Sequence, residues 1–138
     1  MKRRILVVED EKDARIVLAR RLEAGGFEVL QAADGTGGLE AARRARPDLI
    51  VLDVMLPGQD GMKVYRALRD EPVTREVPVL FLTAISSGSP MSEQSLDLLA
   101  RAKHGKDLGG RFAVMVKPYE PKDLLGRIEE MLKEEEPT

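Results

Sequence analysis

The sequence predicts a doubly wound α/β domain: a five-stranded parallel sheet in the order 2-1-3-4-5, with helices on both faces. Three observations carry this. Short apolar runs alternate five times with stretches of helical periodicity, a pattern that calls for parallel strands joined by crossover helices. The runs at 49–52 and 79–82 are apolar without interruption, as strands covered on both faces must be. Right-handed crossovers then leave few ways to wind the units, and 2-1-3-4-5, with its switch point between the first and third strands, is the expected one.

The β-branched run 3–9 reads as the first strand. It hands over at Glu9, Asp10 and Glu11 to a helix whose core positions are expected at Ala14, Val17, Leu18 and Leu22. Gly25 and Gly26 form a C-cap pair, and 27–32 is a second strand with Phe27 and Val29 alternating against Glu28. Asp34 caps a helix over about 35–46 that turns Leu39 and Ala42 inward and stops before Pro47. Its basic tail, Arg43, Arg44 and Arg46, is read as a solvated face that suits the helix C-terminus, not as a phosphate site. The central strand, 49–52, ends on Asp53 and a Pro/Gly-rich loop.

A third helix over 62–69 directs Val64, Tyr65 and Leu68 inward, and a turn with Pro72 and Pro78 leads to the fourth strand at 79–82, ending on Thr83 and Ala84. Residues 85–110 are the least regular stretch, a Ser/Gly/Pro loop followed by a helix carrying Met91, Leu98, Leu99 and Ala102. The fifth strand, 112–116, ends at Lys117-Pro118. Pro121 opens a last helix with Leu124, Leu125, Ile128, Met131 and Leu132 on one side. Residues 1–138 are expected to form one domain with a frayed tail at 134–138 and no room for a second domain, so the chain reads as a stand-alone unit or an excised one.

Composition narrows the function classes. A chain of 138 residues buries roughly two-thirds of its unfolded surface and needs no disulfide or structural metal. With 22 Lys+Arg against 24 Asp+Glu, a net charge of −2 gives no overall field to draw it to nucleic acid or anionic lipid. The absence of cysteine excludes thiol catalysis and thiolate metal sites. The apolar run 5–8 is too short for a signal peptide or a membrane span, so a cytoplasmic location is the expectation.

The predicted fold brings Glu9 and Asp10, Asp53, Thr83 and Lys117 to one edge of one sheet, where ligands of open α/β sheets bind. Each residue has an ordinary alternative: Asp10 as a helix cap, Thr83 as a strand residue, Lys117 as a solvated lysine. Asp53, directly after four buried positions, is hard to explain unless paired or functional. Carboxylates crowded together raise one another's pKa unless a cation neutralises them. Oxygen donors without His or Cys select Mg²⁺ or Mn²⁺ over zinc, and Mg²⁺ is commonly shared with a phosphate. Covalent phosphoryl chemistry on Asp53, with Thr83 and Lys117 facing the oxygens where charge collects, uses every member. His104, in a Gly-flanked polar stretch, is read as a surface residue.

The segments ILVVEDE (5–11), DVMLPGQDG (53–61), FLTA (81–84) and VKPY (116–119) resemble, in order, the four signature segments of the two-component response-regulator receiver domain. The resemblance implies a flavodoxin-like fold and phosphorylation of Asp53 by a sensor histidine kinase or phosphotransfer protein. It further implies a Mg²⁺ held by Asp10, Asp53 and the backbone carbonyl of Met55, with Glu9 on a metal-bound water. By the same resemblance Thr83 and Lys117 would contact the phosphoryl group, and the Lys117-Pro118 bond would be cis. The downstream partner is a protein or an output domain, and homodimerisation through the fourth and fifth elements is known in the family.

The sequence departs from that family in three places. Val114 stands where receivers usually carry an aromatic residue that relays the threonine's movement, and neither Phe112 nor Tyr119 is an evident substitute. The interval from Thr83 to Lys117 is longer than usual by on the order of ten residues, which marks 86–110 as a candidate output surface. Met55 and Ile85 are apolar where some receivers place water-orienting side chains, implying slow self-dephosphorylation. The competing readings are a haloacid-dehalogenase-type hydrolase, which needs an acid where Met55 stands; a flavin or nucleotide module, for which no GxGxxG or GxxxxGK[ST] is present; and a receiver-like module that works without phosphorylation.

Overall fold

The chain runs β1 (Arg4–Val8), α1 (Lys12–Ala24), β2 (Glu28–Ala32), α2 (Gly35–Ala45), β3 (Leu49–Asp53), β4 (Met55–Leu56), β5 (Gln59–Asp60), α3 (Gly61–Asp70), β6 (Val79–Ala84), β7 (Phe112–Lys117) and α4 (Pro121–Glu135). The computed structural model describes residues 2–53, 55–56, 59–84, 112–117 and 119–135. The main sheet has the order β2-β1-β3-β6-β7 with every pair parallel, which is 2-1-3-4-5 counting its five strands along the chain. The expected helix around Met91 to Ala102, the 86–110 surface, His104 and the Lys117-Pro118 bond lie outside the described residues.

Strand alternation sorts the core into two layers. Leu6, Val8, Ile50, Leu52, Val79 and Phe81 pack on one face with Ala42 of α2 and Val64, Tyr65 and Leu68 of α3. Ile5, Val7, Leu49, Val51, Leu80 and Leu82 pack on the other with Leu18 and Leu22 of α1 and Leu124, Ile128, Met131 and Leu132 of α4. Burying each such side chain contributes about 1.5–3 kcal/mol, so the two layers hold the sheet from both sides. The helix α2 approaches β1 closely: a Cβ on Gly38 would lie 2.8 Å from Val8 Cγ2.

The helix ends follow local chemistry. The Asp34 side chain accepts from the Gly37 amide, and Gly26, at φ 98°, turns the chain out of α1 as only glycine does without strain. Arg46 ends α2 in the left-handed region at φ 47°, and its neighbour Arg43 forms a forked ion pair with Glu71 rather than standing free in solvent.

Two expectations are corrected and one alternative is set aside. Val17 is 46% exposed; the buried arc of α1 runs from Leu18 through Leu22 to Ala19, about 100° wide, and Val17 falls beyond it. The cap of α1 is Glu11, whose carboxylate accepts from the Ala14 amide at 3.1 Å, so Asp10 is not spent on capping. The loop after β3 contains a short antiparallel pair, Met55 opposite Asp60 and Leu56 opposite Gln59.

The α3–β6 connection is organised by a buried arginine. Arg69 lies over the Tyr65 ring at 4.6 Å and donates from Nη1 to the carbonyls of Arg75 (2.8 Å) and Val77 (2.7 Å). A buried guanidinium is tolerated when carbonyls and an aromatic face replace its water. Tyr65 in turn meets Phe81 and Phe112, with ring centroids 5.2 and 6.1 Å away. Phe112 therefore shares the face of Val114 but is committed to this aromatic cluster, while Tyr119 packs on the opposite face.

Candidate functional site: a carboxylate cluster at the strand ends

Three strands deliver charge to the carboxyl edge of the sheet. Parallel pairing aligns Val8 with Leu52 and Asp53 with Leu82, so β1 and β3 end side by side and their acids follow directly. Glu9 and Asp53 are 5% and 8% exposed, whereas Asp10 is open to solvent. Carboxylate oxygens of Glu9, Asp10 and Asp53 all lie within 4.8 Å of one another. On β7, Lys117 directs its Nζ to Asp53 Oδ2 at 3.2 Å and to Glu9 Oε2 at 3.5 Å. Thr83 sits opposite Val116 in the β6–β7 register, one position short of Lys117, and Met55 lies two residues beyond Asp53 in β4.

The electrostatics are unbalanced. Burial, followed by the hydrogen bond and the negative charge of Asp53, pushes the Glu9 carboxyl up to about 7, against the pull of Lys117 and of the Glu11 amide. For Lys117, burial disfavours the ammonium, but the Asp53 and Glu9 carboxylates outweigh it and raise its pKa. Among the described residues the Lys117 ammonium contacts two of the three carboxylates, Asp53 and Glu9. Hard oxygen donors at this spacing, with no nitrogen or sulfur ligand beside them among the described residues, can hold a divalent cation such as Mg²⁺.

The acidic turn is held by its surroundings. The Glu9 amide donates to the Ala32 carbonyl at 3.1 Å, Glu9 Oε1 accepts from the Glu11 amide at 3.3 Å, and the Glu9 carbonyl accepts from Arg15 Nη1 at 2.9 Å. Sequence reasoning passed over Arg15; a base one turn into the helix that follows an acidic turn is the signal that marks it. It also passed over a cleft of about 460 Å³ that opens from Glu9 and Lys117 along α1, lined by Asp13, Ala14, Val17, Leu18 and Arg21, with Leu82 and Tyr119 opposite. Burial raises the Tyr119 hydroxyl's pKa, with Lys117 and Arg21 opposing.

Over 136 residues the chain is 35% identical to the alkaline phosphatase synthesis transcriptional regulatory protein PhoP of Bacillus subtilis, covering 99% of this chain and 51% of that one. Over 133 residues it is 35% identical to the DNA-binding response regulator MtrA of Mycobacterium tuberculosis, covering 96% and 52%. The chain thus spans about half the length of the curated relatives it matches.

Among solved structures, the chemotaxis protein CheY4 of Vibrio cholerae superposes with a TM-score of 0.75 at 28% identity, covering 94% of this chain and 98% of that one. The receiver domain of the sensor histidine kinase PA1611 of Pseudomonas aeruginosa, solved with a magnesium ion coordinated in its active-site cleft, gives 0.77 at 25% identity, covering 96% and 99%. The dehalogenase and nucleotide-module readings are not favoured by any of these likenesses. Residues 5–129 match the response regulator receiver domain, and the chain belongs to that family, the receivers of two-component signalling.

Proposed function

We propose that Asp53 is the phosphoacceptor of a His-to-Asp phosphorelay and that Glu9, Asp10, Asp53 and the backbone carbonyl of Met55 hold Mg²⁺, or Mn²⁺, during transfer. The observation that carries this reading is the contact of Lys117 Nζ with both Asp53 and Glu9 within a cluster of three carboxylates. The magnesium ion in the PA1611 receiver supports the same use of the cluster in this chain. When bound, the cation supplies positive charge against the repulsion between an incoming phosphoryl group and the carboxylates.

In the transfer, an Asp53 oxygen bonds to phosphorus as the phosphorus–nitrogen bond of a donor phosphohistidine breaks, leaving its electron pair on the imidazole. Lys117, already 3.2 Å from Asp53 Oδ2, pairs with a phosphoryl oxygen, and the Thr83 hydroxyl takes another. Glu9 and Asp10 hold their places at the edge. The donor is a sensor histidine kinase or a phosphotransfer protein, and the phosphorylated form addresses a downstream protein or output domain, in the cytoplasm, with a second copy of the chain as one such partner.

Incubation with acetyl phosphate and Mg²⁺, followed by intact mass, tests this. A single phosphoryl adduct is expected, absent in Asp53→Ala and in the presence of a chelator; an adduct that survives Asp53→Ala overturns the assignment. Spectra taken after removal of the donor read the lifetime, expected to be long because Met55 and Ile85 offer no polar group to an attacking water.

A further inference from the structure

We infer that Arg15 is a positioning residue for the acidic turn, fixing the Glu9–Asp10 peptide so that the Glu9 and Asp10 carboxylates converge on Asp53; the inference rests on the reading of these three as cation ligands. The hydrogen bonds of Glu9 are the starting point. Its amide continues the ladder of the sheet by donating to Ala32 O, but its carbonyl is taken out of the sheet and accepts from Arg15 Nη1 at 2.9 Å. The peptide group is planar, so holding the Glu9 carbonyl also sets the Asp10 amide and the direction in which Asp10 leaves the strand.

Arg15 is well placed to do this. Its own amide donates to Glu11 O at 2.9 Å in the first turn of α1, so one residue ties the end of β1 to the start of the helix across the whole Glu9–Asp10–Glu11 turn. Its side chain is half-buried and, among the described residues, pairs with no carboxylate, although Glu11 and Asp13 are near in sequence. A charged donor on a carbonyl makes a stronger hydrogen bond than a neutral one, which suits a bond that must hold a turn made of three mutually repelling acids. Groups that orient metal ligands from behind typically change metal affinity by about 10–100-fold when removed.

The sign of the effect separates positioning from simple charge. Removing a cation near three carboxylates strengthens their attraction for a divalent ion, so a purely electrostatic role makes Arg15→Ala bind Mg²⁺ more tightly. Positioning makes it bind about tenfold more weakly. Mg²⁺ titration followed by backbone amide shifts, on the unphosphorylated protein and on Arg15→Ala and Arg15→Lys, reads the difference. Hydrogen exchange of the metal-free proteins adds a readout independent of the ion.

The expected result is about tenfold weaker Mg²⁺ binding in Arg15→Ala, partial recovery in Arg15→Lys, which keeps one charged donor, and faster exchange at Asp10 and Glu11 in Arg15→Ala. Equal or tighter binding by Arg15→Ala, with the wild type responding normally, overturns the inference alone. A wild type that shows no response to Mg²⁺ overturns the reading of the site, and the inference with it.

Discussion

The two edges of the main sheet are built on opposite electrostatic terms. At the amino edge, acids and bases are matched. The Asp48 amide donates to Arg4 O at 2.8 Å while its Oδ2 accepts from the Arg4 amide at 2.7 Å, and Arg3 lies 3.8 Å from the same carboxylate. The Arg4 side chain reaches Glu28 at 3.4 Å and the Ala45 carbonyl at 3.2 Å. At the carboxyl edge, three carboxylates crowd within 4.8 Å of one another, and among the described residues the Lys117 ammonium contacts two of them. One edge closes the fold, and the other keeps a charge imbalance that only a cation or a change of protonation relieves, as functional sites commonly do at the expense of stability.

The largest expected consequence is in the pH dependence of stability. Below pH 4.5 Glu9 is protonated in both folded and unfolded chains; between 4.5 and about 7 the folded chain keeps a proton that the unfolded chain has released, so rising pH favours unfolding; above that window the effect is complete. The contribution amounts to up to about 3 kcal/mol at neutral pH, destabilising. Urea unfolding in chelator should therefore show the wild type losing stability relative to Glu9→Gln from pH 4.5 to 7, with Mg²⁺ flattening the difference. A difference that stays constant, or that grows in favour of the wild type, breaks the contrast between the edges.

A smaller effect is expected at Asp53. Asp53→Asn removes a negative charge from the crowded edge while keeping its shape, and should raise the unfolding free energy of the metal-free protein by about 1–2 kcal/mol while abolishing adduct formation. Thermal unfolding with chelator checks this, and a fall in the midpoint would show that the Lys117–Asp53 pair outweighs the repulsion. The smallest effect belongs to the amino edge. Arg4→Ala loses one ion pair and one carbonyl contact, both exposed, and should cost less than about 1 kcal/mol without altering the pH profile. An altered profile in Arg4→Ala would mean that the two edges are coupled through β1.

Much of this contrast was legible in the sequence, for identifiable reasons. Uninterrupted apolar runs have few alternatives to a buried parallel strand, and Ile5, Leu6 and Val7, like Leu49 to Leu52, are within 1% of full burial. Once those strands and their direction are known, Glu9, Asp53 and Lys117 must meet, because each ends or directly follows a strand. What lay beyond reach depends on tertiary contacts that no local pattern records. Val17 and Ala19 flank Leu18 symmetrically on a helical wheel, and only the docking of α1 decides which is covered.

The cap shows the same limit: asparagine and aspartate are the preferred caps, yet Glu11 serves, because Asp10 falls one position early. The pairing of Arg43 with Glu71 joins residues 28 positions apart, the burial of Arg69 depends on how the following turn presents its carbonyls, and two-residue strands such as β4 and β5 carry no periodicity to read.

Lys117 reaches Asp53 across 64 positions of the chain, and β7 is the last of the described strands in chain order. A chain that has paired β1 with β3 but not yet docked β7 brings Glu9 and Asp53 together without their ammonium. Such an intermediate is penalised by the repulsion between the two carboxylates, and it lacks the ammonium that offsets it. Completion of the sheet is therefore also completion of the charge cluster: a partly paired sheet carries the two acids without the ammonium that sits against both, and the cluster exists as a unit only once β7 has docked.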